Sequence, residues 1–270
     1  MGRKMHSQLV VLGGGPGGYA AAFLAADEGM DVTLVESQGR LGGTCLLKGC
    51  IPSKALLHVA RVISEAEELT EDWGVEFDTP KIAIDKVRAR KDKVISTLTG
   101  GLAGLAKKRK IKVIHAKGVF TDSSTLKLEG DDDSIPEERI LTFDHCVLAT
   151  GSVPAIPAAF RIGSEKVVDS TGALELPEIP SKMLVIGGGY IGLEMGTVYA
   201  TLGAKVDVVE LADGLLMGAD RDLVKPLEKR LKSLLENIFL NTKVGSVYEK
   251  DGKVEVAFEG PGKFGTEAYD

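Results

Sequence analysis

Two cysteines, Cys45 and Cys50, are separated by four residues in the stretch LGGTCLLKGCIPSKALL, residues 41–57. Paired thiols can cycle between dithiol and disulfide, bind a metal, or do neither. Pro52 and Ser53 mark a turn-to-helix boundary after the second cysteine. If Cys45 also lies on a helical turn, the five-residue offset can bring the two sulfurs near bonding distance. Lys48, Lys54 and the flanking glycines would favour the reactive thiolate. A zinc site would have only His58 as a nearby further ligand, and Cys146 lies in an apolar strand. Two inert thiols are the remaining reading.

The choice among these turns on a duplication. Residues 8–36 read QLVVLGGGPGGYAAAFLAADEGMDVTLVE, and residues 182–210 read KMLVIGGGYIGLEMGTVYATLGAKVDVVE. Each has an apolar strand, a glycine cluster, an Ala-rich helix, a glycine turn and a second apolar strand ending in Glu. Both clusters fit G-x-G-x-x-G, as Gly13, Gly15 and Gly18 and as Gly187, Gly189 and Gly192. In this pattern the first glycine permits the tight turn and the second lets backbone approach a pyrophosphate. The third lets helix and strand pack closely. The helix N-terminus then offers free N–H groups and the positive end of a dipole. Glu36 and Glu210 can accept hydrogen bonds from a ribose diol, and a carboxylate at 210 favours NAD over NADP. Two dinucleotide sites in one chain imply electron traffic between two cofactors. In that setting a redox disulfide is the preferred reading of Cys45 and Cys50.

The segment GGTCLLKGCIPSKALL resembles the active-site segment of the flavin-dependent pyridine-nucleotide disulfide oxidoreductases, most of all the members that oxidise dihydrolipoyl groups. The resemblance continues through Ala149-Thr150-Gly151-Ser152, GGGYIGLE at 187–194 and ADRDLVKPL at 219–227. It implies FAD at the first glycine turn and NAD at the second. It implies that Cys45, expected to be the more exposed thiol, exchanges with a lipoyl group. Cys50 would lie against the flavin, and NAD+ would finally be reduced to NADH. It also assigns flavin contacts to Gly43, Thr44, Thr150, Gly151, Ser152 and Lys54, with Lys54 touching the ring and Gly118 on the adenine side. Glu194 would lie near nicotinamide and flavin, and Val244 would give a backbone contact to NAD. Tyr190, just after the second glycine turn, either covers the flavin face until NAD arrives or is ordinary helix packing. The implied carriers are a lipoyl-bearing acyltransferase or H-protein domain, and the implied assembly is a homodimer.

The elements that must position these residues follow. The fold class is α/β, with two Rossmann-like, three-layer dinucleotide-binding domains, the second inserted in the first and truncated. The expected boundaries are 1–152 for the FAD domain and 153–270 for an incomplete NAD domain. No counterpart of the family's C-terminal dimerisation domain, with its His–Glu acid/base pair, is expected in the chain. Residues 53–70 and 81–110 have helical periodicity, and strands are expected across 111–150. Gly130–Ser134 reads as a solvated hairpin loop, Lys107–Lys110 as a solvated helix end, and Cys146 as a buried small hydrophobe. His6, His58, His115 and His145 show no ligand spacing, so no metal is expected.

Composition narrows the classes further. The 270 residues carry a net charge of −6, with 44% hydrophobic and 27% charged residues. That balance belongs to an ordinary globular chain, and a mildly acidic one is a poor partner for nucleic acid. No apolar run approaches the ~20 residues of a membrane span. Three cysteines and no visible leader point to a soluble protein of a reducing compartment, such as the cytoplasm. Alternative readings are a nucleotide-binding fragment or interaction module without turnover, and a family reductase acting on mercuric ion or a glutathione-like disulfide.

Overall fold

The computed structural model describes residues 5–270. Two compact units emerge, one running up to Pro52 and resuming over Asp92–Val153, the other built from Ser53–Lys91 and Pro154–Asp270. The stretch 53–91 therefore groups with the residues from Pro154 onward, whereas the boundaries expected from sequence kept all of 1–152 together.

The first unit opens with strand β1 (Met5–Leu12), helix α1 (Pro16–Asp27) and strand β2 (Val32–Glu36). The short helix α2 (Gly43–Lys48) and the first residues of α3 (Cys50–Asp72) follow, and the unit resumes in the later part of α4 (Ile84–Lys108). Strands β3 (Lys112–His115), β4 (Lys117–Asp122), β5 (Thr125–Glu129) and β6 (Ile140–Leu148) complete it. The sheet order is β3-β2-β1-β6-β5-β4. The β3-β2-β1-β6 pairs are parallel, while β5 runs antiparallel to both its neighbours. A central parallel strand is covered on both faces, which is why the second half of β1, Leu9–Leu12, reads as an unbroken apolar run. Val10 and Leu12 pack with Val35, Ile114, Leu126 and Leu128. Leu9 and Val11 pack instead with Ala22, Leu34 and Ala106. The expected loop at Gly130–Ser134 lies between β5 and β6. Cys146 is half-buried in β6 beside Val10, and burial raises its thiol pKa.

The second unit repeats the motif. Its parallel sheet is β7 (Lys182–Ile186), β8 (Lys205–Val209) and β9 (Asn237–Phe239), in that order. Helix α6 (Tyr190–Thr201) connects the first two strands and α7 (Arg221–Leu234) precedes the third, while α5 (Ser170–Glu175) lies upstream. An antiparallel sheet, β10 (Lys243–Lys250), β11 (Lys253–Glu259) and β12 (Gly265–Tyr269), closes the unit.

A buried carboxylate ties these two sheets together. Asp207 on β8 has no exposed surface. It accepts hydrogen bonds from Tyr269 Oη on β12 at 2.9 Å and from Asn237 Nδ2 on β9 at 2.8 Å. Burial, with the facing Asp207 carboxylate, drives the Tyr269 phenol pKa upward, so it remains a donor. Hydrogen bonds to a charged group are worth about 1.5–3 kcal/mol. Tyr269→Phe is therefore expected to lower unfolding stability by about 1.5–3 kcal/mol, read as a shift in denaturant midpoint at constant slope. A loss below about 0.5 kcal/mol would show that the phenol does not support the carboxylate.

Candidate functional site

In the first unit the chain leaves β1 at Leu12 and reverses into α1 within three residues. Gly13 N donates to Val35 O at 2.8 Å, which carries the turn off the strand. Gly13 has φ +106°, and a Cβ there would lie 2.2 Å from the carbonyl oxygen of Ala149. A Cβ on Gly18 would lie 1.8 Å from Gly13 O. Gly15 caps α1 and Pro16 occupies its first turn, where the missing N–H costs nothing. No side chain caps the helix, and its first turn holds no acidic residue. The free N–H groups at such a start are matched to an anion. A cradle that any Cβ would fill, ending in uncapped amides, fits the pyrophosphate of a dinucleotide.

Glu36 does more here than its place at the end of β2 suggests. Its Oε2 accepts from Gly14 N at 2.6 Å and its Oε1 from Gln38 N at 2.7 Å. The carboxylate thus holds the glycine turn and the loop after β2 at once. Two carboxylate oxygens offer about four acceptor positions, so the ribose hydroxyls can still be received. The second unit has the same plan. Glu210 accepts from Gly188 N at 2.7 Å and from Ala212 N at 2.8 Å. Gly187 has φ +110°, and a Cβ on Gly192 would stand 2.3 Å from Gly187 O. Gly189 caps α6 without any side-chain bond. Leu216 N donates to Gly188 O at 2.9 Å, just as Gly42 N donates to Gly14 O at 2.8 Å. These paired loop contacts carried no signal in the glycine spacing.

The cysteine segment is built onto the first turn. Gly42 has φ +134°, and a Cβ on Gly43 would come within 2.5 Å of Gly15 Cα. The glycines before Thr44 thus let the loop lie directly on the nucleotide turn. Cys45 falls inside α2 and Cys50 opens α3, so both lie on helical turns. Their exposure reverses the expectation. Cys45 is half-buried and Cys50 is exposed, because Cys45 sits within a turn whose neighbours Leu46 and Leu47 pack into a small core with Ile95. Exposure therefore lends no support to Cys45 as the exchanging thiol.

The remaining residues divide by unit. Thr150, Gly151 and Ser152 follow β6, at the sheet end that also holds Gly13, where Ala149 N donates to Leu12 O at 2.8 Å. Thr44 Oγ1 faces Ser152 O at 3.4 Å. Gly118 lies in β4, and a Cβ there would meet Leu12 Cδ1 at 2.7 Å, the end of a side chain rather than backbone. In the second unit Lys54 Nζ donates to Glu194 Oε1, an ion pair across 140 residues of chain. Tyr190, the first residue of α6, is 67% exposed. Val244 is half-buried at the start of β10, paired with Phe258 beside a register shift. Among the described residues no cluster of His, Cys, Asp and Glu could hold a metal, and no helix is long and apolar enough to cross a membrane.

A family profile described as pyridine nucleotide-disulphide oxidoreductase matches residues 7–268. The dihydrolipoyl dehydrogenase of Vibrio cholerae is 49% identical over 260 residues, covering 96% of this chain and 54% of that protein. The dihydrolipoyl dehydrogenase of Haemophilus influenzae is 46% identical over 274 residues, covering 100% and 55%. Among solved structures, the copper(II) complex of the HOCl-induced flavoprotein disulfide reductase RclA from Escherichia coli aligns with a TM-score of 0.80. Identity there is 27%, over 100% of this chain and 55% of that one. The chain spans about half the length of the curated relatives it matches.

Proposed function

The chain belongs to the pyridine nucleotide-disulphide oxidoreductase family, and from that premise we propose that it is the disulfide- and nucleotide-bearing part of a dihydrolipoyl dehydrogenase. FAD would occupy the first glycine turn and NAD the second, together supplying the electron path from a dihydrolipoyl dithiol to NAD+. The observation that supports the reading is the close approach of Gly43, two residues before Cys45, to Gly15 in a turn that fits a pyrophosphate.

The chain's own residues take the following parts. Gly13, Gly15 and Gly18 admit the FAD pyrophosphate, and Glu36 receives its ribose hydroxyls while fixing the turn. Gly43, Thr44, Thr150, Gly151 and Ser152 line the flavin's path by backbone approach, and Gly118 contributes backbone on the adenine side. Gly187, Gly189, Gly192 and Glu210 do the same for NAD, with the Val244 backbone as a further contact. One lipoyl thiolate attacks Cys45 Sγ and releases Cys50 as a thiolate. The second lipoyl thiolate then attacks the lipoyl sulfur of the mixed disulfide and releases Cys45, so that two thiol protons and two electrons leave the lipoyl group as the Cys45–Cys50 disulfide is reduced. Lys54, held by Glu194, places a positive charge toward the flavin ring, and Tyr190 covers that ring before the nicotinamide enters. The dithiol donor would be a lipoyl group on an acyltransferase or H-protein domain. The acting form would be a homodimer in the cytoplasm.

The nucleotide assignment has a direct test. Glu210→Arg removes the ribose acceptor and installs a partner for a 2′-phosphate. NAD+ affinity is expected to fall by about ten- to a hundredfold, as for loss of hydrogen bonds to a charged group, with NADP+ gaining relative to it. Calorimetric titration of both nucleotides into the flavin-loaded protein reads this out. Unchanged NAD+ affinity would remove the second glycine turn from the nicotinamide site.

A further inference from the structure

One cavity of the first unit takes no part in the chemistry above. It lies along β3, the edge strand of the sheet, between α4 and the loop Gly39–Leu41 that follows β2. Its volume is about 580 Å³, within the range of small-molecule sites. Leu41 and Ile111 form an apolar floor, and Arg40, Lys107, Lys110 and His115 bring four basic groups to its walls. No Asp or Glu lines it.

The charges are not balanced locally. Neighbouring basic residues have partners: Arg109 pairs with Asp27 and Lys112 with Asp31. Among the described residues, no ion pair engages Arg40, Lys107 or Lys110. Placing Lys107 in the last turn of α4 suits the helix dipole, but that accounts for one charge only. Lys110 lies beyond the helix with φ +57°, and Arg40 comes from a different part of the chain. His115 lines the cavity, but its unpartnered Nδ1 is buried and offers no surface to a ligand, so recognition rests on the three cations.

We propose that this cavity binds a phosphate-bearing small molecule of at least two negative charges, with Arg40, Lys107 and Lys110 as its charge partners. The planar guanidinium can grip two phosphate oxygens, and the two ammonium groups act as point charges on the rest. A compact ligand with an apolar or planar body would use the floor as well. The basic run at 107–110 is then only partly a solvated helix end.

Calorimetric titration of inorganic pyrophosphate into the full chain tests this, with sulfate at matched ionic strength as the control. One pyrophosphate per chain is expected to bind, more tightly than sulfate. A Lys107→Ala/Lys110→Ala variant should weaken it by about tenfold or more per cation removed. Ala103→Phe, on the exposed helix face lining the cavity, should block binding sterically without loss of fold, checked by an unchanged melting curve. No binding heat, or equal affinity in both variants, would overturn the proposal. So would displacement of pyrophosphate by added FAD, which would make the cavity part of the flavin's own site. These residues lie outside the cysteine and dinucleotide machinery, so the outcome is readable even if the lipoyl chemistry assigned above fails.

Discussion

Cys45→Ser and Cys50→Ser are each expected to abolish reduction of the bound flavin by dihydrolipoamide, with a rate loss on the order of a thousandfold or more, as for removal of a covalent nucleophile. Dithionite should still reduce the flavin in both. The two variants part company in the spectrum. A lone thiolate at Cys50 should keep a long-wavelength absorption band with the flavin, so Cys45→Ser retains that band and Cys50→Ser lacks it. This contrast matters because the exposures run the other way, with Cys50 exposed and Cys45 half-buried. If the band survived in Cys50→Ser and vanished in Cys45→Ser, the roles of exchange and flavin contact would have to be swapped. Stopped-flow reduction with full-spectrum detection separates the outcomes.

Gly18→Ala should be nearly as damaging by a different route. The new Cβ would sit 1.8 Å from Gly13 O and 2.9 Å from Gly13 C, backbone atoms of the turn itself. Neither can move without opening the strand–helix contact that shapes the pyrophosphate cradle. Overpacking of this kind costs about 1–3 kcal/mol in stability. Flavin affinity is expected to fall at least a hundredfold, since the cradle and the helix amides shift together. Two controls make the result specific. Gly17→Ala lies one residue earlier in α1, and a Cβ there meets nothing within 4 Å, so it should keep flavin and gain up to about 1 kcal/mol of stability. Gly192→Ala would place a Cβ 2.3 Å from Gly187 O and should impair nicotinamide binding while flavin content stays normal. Flavin content per chain after gel filtration, with a denaturant melt, measures all three. A flavin-replete, fully stable Gly18→Ala would refute the cradle.

Much of this arrangement was legible in the residues because backbone geometry demanded them. A turn with φ +106° followed by a helix packed against its own turn admits only glycine at Gly13 and Gly18, so spacing and function are written in the same letters. The apolar run that ends β1 announced a buried parallel strand for the same reason. Contacts between distant residues left no such mark. Lys54 and Glu194 are 140 positions apart, and nothing local in either segment shows that they pair. Glu36 and Glu210 were readable as ribose acceptors, yet their grip on Gly14 and Gly188 depends on how each strand end meets the turn. The exposure of the two thiols depended on Leu46 and Leu47 finding a core with Ile95, again a tertiary choice. Tyr269 bonding to Asp207 joins two sheets that no periodicity connects.

The coupling proposed is that of a cysteine pair to a flavin held at the first glycine turn of one chain. Its most direct test is a reductive titration of the purified protein with dihydrolipoamide in the absence of NAD+, following the visible spectrum and the thiol count together. A flavin spectrum that gains a long-wavelength band as two electrons are taken up is expected, with two new titratable thiols per chain. A colourless protein, or a flavin that bleaches with no new thiols at Cys45 and Cys50, would contradict it.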